Sequence, residues 1–258
     1  MTWLKGMIRK LELALSNRIF WRYIYYRLFG TMKVREGKDS LLAETITEVK
    51  YQVSKGRWVS DQLYCINPLT ELVLRRYMRM KRGVFLDIGA FVGRHSLEVA
   101  RQSRSNKVYA IEPNPLSFRL LKRNIGLNSF GKQITPIKAA LSADDCKIRF
   151  IVDGAVSRIS SGNPSGSVAV DSLSLKTLIR KNGINQSRIC LIKIDVEGRE
   201  HCILEQICKV LSRNKSLDVV CEIQPTARTK KKSLELMSSQ GFRIRRIDDS
   251  NYHFSKRV

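Results

Sequence analysis

The stretch that most constrains the fold is residues 84–93, Val-Phe-Leu-Asp-Ile-Gly-Ala-Phe-Val-Gly. An apolar run containing the acid Asp87 leads into Gly89 and Gly93, and a helix-like segment follows at 94–100. This pattern predicts a buried parallel strand that turns sharply into a helix, with the turn open to a ligand. Glycine suits such a turn because it accepts a positive φ and lets backbone approach a ligand closely.

The spacing of these glycines argues against a dinucleotide ligand. The fingerprint G-x-G-x-x-G would require glycine at 91 and 94, where Phe91 and Arg94 stand. An acid at Asp87 also suits a ligand that carries positive charge better than one that carries phosphates. S-adenosylmethionine, which has a sulfonium and an ammonium group, is such a ligand.

Composition indicates a globular domain with a polyanionic neighbour. The chain has 258 residues, of which 43% are hydrophobic, enough for one α/β domain with an extension. Lys and Arg number 47 against 23 Asp and Glu, a formal net charge of +24. That charge favours nucleic acid, anionic lipid headgroups or an acidic glycan as partner, without choosing among them. A generally basic proteome is the alternative explanation.

The cysteines favour a reducing, cytoplasmic location. Six are present, without a C-x-x-C pair or a metal-like spacing. Cys190 and Cys221 lie in apolar runs and are predicted to pack as small hydrophobes, so we expect no structural disulfide. No apolar run is long enough to predict a membrane span, and the N-terminus resembles no clear signal peptide.

The first 56 residues are predicted to form an extension, and residues 57–258 the main domain. Within 1–30, apolar residues recur at helical spacing, and an aromatic and basic stretch follows at 20–29. This composition fits equally a helix on an anionic membrane surface and a helical arm packed on the main domain.

The segment between this extension and the glycine stretch is less regular in pattern. Residues 31–60 are expected to be largely irregular, with strand character at 46–53. Residues 61–80 are predicted to form a helix that covers the ligand, with Asp61 and Gln62 as weak candidates for a contact.

From residue 84 onward, strand and helix patterns alternate, which predicts a mostly parallel sheet with helices on both faces. Strands are predicted at 84–89, 107–112, 133–139, 190–194, 218–223 and 243–247, with a short last strand at 251–254. Helices are predicted at 94–102, 115–127, 173–182, 200–211 and 229–239. Residues 141–172 are rich in Gly and Ser and are expected to form a surface loop, strand-like only at 147–152.

Acidic residues end four of these strands. Ligands of open α/β sheets bind at the carboxyl ends of the strands, where Asp87, Glu112, Asp195 and Glu222 should converge. A single strand-end acid often only caps a helix, but four on one edge would repel one another unless a ligand, a metal or basic residues offset them. Glu112 suits the two hydroxyls of a ribose. The small residues at 139–142 would leave room for an adenine ring.

These residues resemble the FkbM family of S-adenosylmethionine-dependent methyltransferases, over residues 57–242. Four blocks carry the resemblance in order and spacing: Asp-Ile-Gly-Ala-Phe-Val-Gly-Arg-His-Ser at 87–96, Glu-Pro-Asn-Pro at 112–115, Ala-Ala-Leu-Ser at 139–142 and Lys-Ile-Asp-Val-Glu-Gly-Arg-Glu at 193–200. The last block is the most specific. The resemblance implies a class I, Rossmann-like sheet of seven strands, often with an antiparallel last strand, and O-methylation of hydroxyls on sugars or secondary metabolites.

The resemblance also implies roles for individual residues. Asp87, Gly89, Ala90 and Gly93 would hold the methionine part of S-adenosylmethionine. The ribose would lie at Glu112, Pro113 and Asn114, and the adenine near Ala140 and Ser142. Asp195 would sit at the methyl-transfer site. Phe91 stands where the family usually has Asn, which puts a side-chain contact at that position in doubt.

The reaction needs a group that accepts the proton of the attacking hydroxyl, because a sugar hydroxyl is a poor nucleophile. Asp195 is the best placed candidate, and His95 and Glu200 are further candidates, with Glu197 and His201 behind them. Lys193 could either offset the acids or point away from them. A metal at Asp195, Glu222 and Gln224 is conceivable, but none is predicted.

The leading hypothesis is an O-methyltransferase acting on a sugar, a glycan or a lipid-linked saccharide. An RNA 2′-hydroxyl methyltransferase is the runner-up, motivated by the net charge. A catalytically silent binding protein of the same fold is the third alternative. We expect a cytoplasmic protein, with peripheral membrane contact through residues 1–30 left open.

Overall fold

The computed structural model describes residues 33–38, 40–45, 48–54, 74, 83–102, 104–151, 158–160, 167–196, 198–224 and 228–257. The predicted N-terminal helix at 1–30 lies outside these residues, as do Asp61, Gln62 and Glu197. Of the helix predicted at 61–80, only Leu74 is described; it is helical and buried.

The main sheet has seven strands, as predicted. Its order is β13-β14-β12-β11-β4-β5-β6, and β14 runs antiparallel to the other six strands. The bounds are β4 Val84–Ile88, β5 Lys107–Ile111, β6 Ile134–Ile137, β11 Ile189–Ile194, β12 Ser216–Glu222, β13 Arg243–Arg246 and β14 Asn251–Arg257. The central strands β4 and β11 are buried along their whole length, because helices cover both faces of a parallel sheet.

Five helices described by the structure flank this sheet: α1 Arg94–Gln102, α2 Pro115–Leu127, α3 Leu175–Lys181, α4 Glu200–Val210 and α5 Lys230–Ser239. Leu97 of α1 and Leu121 of α2 share one core with Phe85. Apolar residues of α3, α4 and α5 form a second core with Ile88 and Ile192. The two cores explain why the strands read as unbroken apolar runs rather than as alternating ones. Among the described residues, no helix is long and apolar enough to cross a membrane.

An antiparallel sheet replaces most of the irregular segment expected at 31–60, and its last strand overlaps the strand character expected at 46–53. Its strands are β1 Lys33–Glu36, β2 Ser40–Glu44 and β3 Lys50–Ser54. Tyr51 and Val53 alternate with polar residues and bury their side chains in the core of α1 and α2. The backbone N–H of Gln52 donates to Oδ1 of Asn124 on α2 at 2.6 Å. Long-range packing against α2 therefore stabilises strands whose local pattern is weak.

The prediction of a surface loop at 141–172 is also wrong. Four short strands form a second sheet there, in the order β7-β10-β8-β9: β7 Ala140–Leu141, β8 Cys146–Ile151, β9 Arg158–Ser160 and β10 Ser167–Leu173. Only β8 matches the predicted strand. Strand β10 is half exposed, so its apolar pattern is incomplete, and α3 begins at Leu175 rather than at 173.

Cys190 and Cys221 are buried, as predicted. The described cysteines carry free thiols.

Candidate functional site

The carboxyl ends of the four central strands lie side by side. Asp87 on β4 pairs with Lys193 on β11 and with Ala110 on β5, and Lys193 pairs in turn with Val220 on β12. The residues that follow this row therefore form a single edge of the sheet, which carries Glu112, Asp195 and Glu222. The predicted convergence of the strand-end acids is present.

The two glycines of the turn are required by neighbouring protein atoms. Gly89 has φ +81°, and a Cβ on it would lie 1.8 Å from the carbonyl oxygen of Asp195. Gly93 has φ +92°, and a Cβ there would lie 2.5 Å from Cδ1 of Leu121. The backbone N–H groups of Gly89 and Ala90 both donate to the carbonyl of Ile111, at 3.0 and 2.9 Å. The glycines thus let β4, β11 and α2 meet closely at the turn.

Asp87 is fully buried under this turn. Its Oδ2 accepts a hydrogen bond from Oγ of Ser96 at 2.6 Å, whereas its Oδ1 has no hydrogen-bond partner. Burial raises the pKa of Asp87, and the nearby Lys193 and Ser96 oppose that shift. A buried oxygen without a donor costs free energy, so this atom favours a ligand that brings a donor or a positive charge.

The side chain of Lys193 points toward the strand-end acids and offsets their charge. Its Nζ donates to the carbonyl of Gly89 at 3.1 Å and to Oδ2 of Asp195 at 3.2 Å, and lies 3.8 Å from Oδ1 of Asp87. Burial lowers the pKa of Lys193, but the carboxylates of Asp195 and Asp87 outweigh that effect, so the pKa is raised. The ammonium is therefore charged and joins the turn to the end of β11.

Glu112 is held by backbone amides at the end of β5. Its Oε2 accepts from the N–H of Phe91 and its Oε1 from the N–H of Asn114, both at 2.8 Å. Burial raises its pKa to about 7, and the two backbone donors oppose that shift. Each carboxylate oxygen has a second lone pair, so two further donors, such as a pair of ribose hydroxyls, could still bind.

Phe91 contributes to this arrangement through its backbone. Its φ is +52°, a left-handed conformation that a bulky residue adopts at a cost and that Asn adopts more readily. The position therefore demands a backbone shape and an amide that points at Glu112, which Phe and Asn can both supply. This explains how the chain can depart from the residue usual in the resembled family.

The residues predicted to lie near the adenine have small side chains and are well packed. Ala139 and Ala140 are buried. Ser142 joins the second sheet: its N–H donates to the carbonyl of Leu173 at 3.1 Å, and its Oγ donates to the carbonyl of Asp144 at 2.9 Å. Any contact between Ser142 and a ligand would thus compete with hydrogen bonds inside the second sheet.

Asn114 and Pro113 connect the ribose side to α2. The side chain of Asn114 accepts from the N–H of Leu116 at 2.9 Å and so caps the helix, while its own N–H holds Glu112. Pro113 is half-buried between these two residues.

The candidate bases differ in their access to a substrate. The Asp195 side chain is 35% exposed although Lys193 holds one of its oxygens. Glu200 is buried and accepts from the N–H of Gly198 at 2.9 Å, and burial raises its pKa. His95 is half-buried in the first turn of α1. Asp195 is therefore the carboxylate that combines exposure with an anchored position.

Two other residues that the sequence singles out contact neighbouring side chains. Nδ1 of His201 lies 3.0 Å from Oγ of Ser233 on α5, so this ring contacts a neighbouring helix. Oε1 of Glu222 accepts from Nε2 of Gln224 at 3.3 Å. Within the described part of the chain, no group of three or more His, Cys, Asp or Glu residues is placed to hold a metal ion.

Sequence reasoning assigned no role to Ser96 or to the backbone amide of Phe91. Ser96 follows Asp87 by nine residues and meets it because the turn folds the start of α1 back over β4. A hydroxyl one turn into the helix after a strand-end acid was the only available signal. The Phe91 amide depends on the left-handed turn and leaves no trace in residue type.

Comparison with known proteins gives a family match and a set of similar solved structures. The model of one protein family, the methyltransferase FkbM domain, matches residues 87–244, more than half of the chain. A search of curated proteins found no match.

Solved structures with similar folds include several methyltransferases. The Bacillus cereus O-methyltransferase in complex with SAH is 11% identical, over 74% of this chain and 81% of that one, with a TM-score of 0.49. M. jannaschii TYW2 in complex with AdoMet is 15% identical, over 88% and 90%, with a TM-score of 0.47. The Methanococcus jannaschii fibrillarin pre-rRNA processing protein is 18% identical, over 87% and 96%, with a TM-score of 0.46.

Proposed function

The chain belongs to the FkbM family and is an S-adenosylmethionine-dependent methyltransferase, and on that premise we propose that it methylates a hydroxyl of a sugar, a glycan or a lipid-linked saccharide. The observation that carries the proposal is the anchored, partly exposed carboxylate of Asp195 beside the glycine turn. A carboxylate in that position suits an acceptor that must lose a proton as it attacks, as a hydroxyl must.

The residues at the strand edge fit the cofactor. Oδ1 of Asp87 is a buried acceptor without a hydrogen-bond partner, 3.8 Å from Nζ of Lys193, and its negative charge favours a cationic ligand nearby. Glu112 is fixed by two amides and keeps lone pairs for ribose hydroxyls. We assign Asp87, Gly89, Ala90 and Gly93 to the methionine part, Glu112, Pro113 and Asn114 to the ribose, and Ala140 and Ser142 to the adenine. When bound, S-adenosylmethionine supplies an electrophilic methyl group on a sulfonium.

Alignment and proton acceptance are the tasks left to the protein. Lys193 fixes one oxygen of Asp195, so the other oxygen is free to accept the proton of an acceptor hydroxyl. Much of the rate enhancement in such a displacement comes from holding the reacting atoms in line. We assign the proton to Asp195, with His95 and Glu200 as supporting candidates.

A methyl-label transfer screen tests this proposal. Purified protein and methyl-labelled S-adenosylmethionine are incubated with glycan, lipid and RNA fractions from the source cell. We expect label in a saccharide-bearing fraction, lost in Asp195→Asn and kept in Glu205→Gln, a half-exposed acid on α4. Label found only in protein-free RNA would contradict the saccharide proposal and would identify RNA, the runner-up, as the acceptor.

The runner-up acceptor, a ribose 2′-hydroxyl of RNA, is supported by the net charge of +24. The same carboxylate could serve it, because the reacting group is again a hydroxyl. A catalytically silent role is disfavoured by the intact acids at both cofactor-side strand ends, Asp87 and Glu112.

A further inference from the structure

Helix α2 presents an unusual exposed face. Leu116 is 53% exposed and Leu127 is 41% exposed, and among the described residues they are the only large hydrophobic side chains in the exposed class. The two leucines are eleven residues apart, which is three helical turns, so they lie on one side of α2 roughly 16 Å apart. The opposite side, with Leu121 and Ile125, packs into the core.

Cations lie along the same exposed side. Arg119 and Arg123 follow Leu116 by three and seven residues and therefore share its stripe. Lys122 is exposed beside them, and α2 contains no acidic residue. The result is an outward surface, here called the α2 face, of Leu116, Arg119, Lys122, Arg123 and Leu127.

We infer that the α2 face docks on an anionic lipid surface. Exposed leucines with flanking arginines and lysines are the pattern of a helix that lies in a membrane interface, where apolar side chains enter the acyl boundary and cations meet the headgroups. A second copy of this chain is a poor occupant, because its own α2 face would bring three like charges into contact. A nucleic acid gains nothing from the leucines, and the aromatic residue of α2, Phe118, packs against the core.

The position of the α2 face links it to the strand edge. Asn114 caps α2 and holds Glu112, and Leu116 follows two residues later. Docking through the α2 face therefore places the rim of the cofactor side at the lipid surface. On the proposed function, this names the setting of the acceptor: a saccharide whose lipid carrier keeps it at the membrane.

Vesicle sedimentation of the full chain tests the inference. The protein is mixed with vesicles of phosphatidylcholine, with or without phosphatidylglycerol, in the absence of cofactor and acceptor. We expect binding only to the anionic vesicles, and a roughly tenfold weaker partition for Leu116→Ser with Leu127→Ser, which leaves the charge unchanged. Arg119→Glu with Arg123→Glu should weaken partition more than the charge-matched pair Arg213→Glu with Lys215→Glu, two exposed residues in the connection between α4 and β12.

Two results would overturn it. If the leucine pair partitions like the parent protein, the contact lies elsewhere, whether in residues 1–30 or in general charge. If the two charge pairs lose partition equally, the α2 face has no special role. All the substituted positions are exposed, so the melting temperatures of the variants should stay close to that of the parent protein. The single variant Leu127→Ser is a further control, because Leu127 lies at the opposite end of α2 from Glu112 and its replacement leaves the start of the helix unchanged. Vesicle partition is measured without cofactor or acceptor, so a negative methyl-transfer screen would contradict the proposed acceptor without contradicting the membrane contact.

Discussion

The ammonium of Lys193 lies 3.2 Å from Oδ2 of Asp195 and also donates to the carbonyl of Gly89 at 3.1 Å. The Lys193 side chain is 7% exposed, against 35% for Asp195. One buried cation thus joins the cofactor turn to the carboxylate assigned to proton acceptance, and its loss should affect both stability and cofactor binding.

Replacing Lys193 by Met should lower the free energy of unfolding by about 3 kcal/mol near pH 8, because it leaves the buried Asp87 without its cation. Burial already raises the pKa of Asp87 in the folded protein, so without Lys193 stability should fall further as the pH rises through that pKa. The loss should therefore be smaller near pH 5. Urea unfolding at both pH values measures it, and exposed Lys209→Met is the control. Equal losses in the two variants would contradict the role of Lys193.

Gly89→Ala should destabilise the protein severely, by more than about 3 kcal/mol, because the new Cβ would lie 1.8 Å from the carbonyl oxygen of Asp195. Gly183→Ala is the matched control: its φ is +59°, but a Cβ there meets nothing within 4 Å. That variant should cost only about 1 kcal/mol, the price of a left-handed alanine. Urea unfolding distinguishes them, and similar losses would mean that the close approach of β4 and β11 is not rigid.

The affinity for S-adenosylmethionine should depend on pH through Glu112. Burial raises the pKa of Glu112 to about 7, and hydroxyls donate more strongly to a carboxylate than to a neutral carboxyl. Binding should therefore weaken by up to about tenfold between about pH 8 and about pH 6. Calorimetric titration of the wild type and of Glu112→Gln checks this, and a slope that persists in the variant would exclude Glu112 as its origin.

The stability of the cofactor-free protein should show the opposite dependence on pH. The folded pKa of Glu112 lies above its ordinary value of 4.5. Its contribution to stability is thus fully present below about pH 4.5 and is lost as the pH rises through about 7. Glu112→Gln should flatten this part of the curve of unfolding free energy against pH, and an unchanged curve would contradict the raised pKa.

Phe91→Asn should keep the affinity for S-adenosylmethionine within about threefold, because the contact to Glu112 comes from the backbone N–H. The unfolding free energy should rise or stay level, since Asn tolerates φ near +52° better than Phe. Calorimetry and urea unfolding measure both effects. A tenfold loss of affinity would instead show that the phenyl ring contacts the ligand.

The parts of the fold that could be predicted are those with strong local periodicity. Strands β4 and β11 are buried on both faces and read as apolar runs, and α2 begins at Pro115 after the capping Asn114. Strand β3 overlaps the strand character expected at 46–53. The strands β1, β2, β9 and β10 could not be predicted, because their pairing depends on distant partners and because only one face of each sheet is apolar.

The candidate site divides in the same way. Asp87, Glu112 and Asp195 could be placed because strand ends of a parallel sheet share one edge. The direction of the Lys193 side chain could not be predicted. Both faces of β11 are buried, so its sequence does not show which residues point to which face of the sheet. The amide of Phe91 and the hydroxyl of Ser96 act through the shape of the turn, which residue types alone do not specify.

Calorimetric titration of S-adenosylmethionine is the most direct test of the assignment of the strand edge as the cofactor site. The wild type should bind one equivalent, and Glu112→Ala should bind at least about tenfold more weakly. Glu205→Ala, which removes a half-exposed acid on α4, should bind like the wild type. Absence of binding heat in the wild type, or equal affinity in Glu112→Ala, would contradict the account.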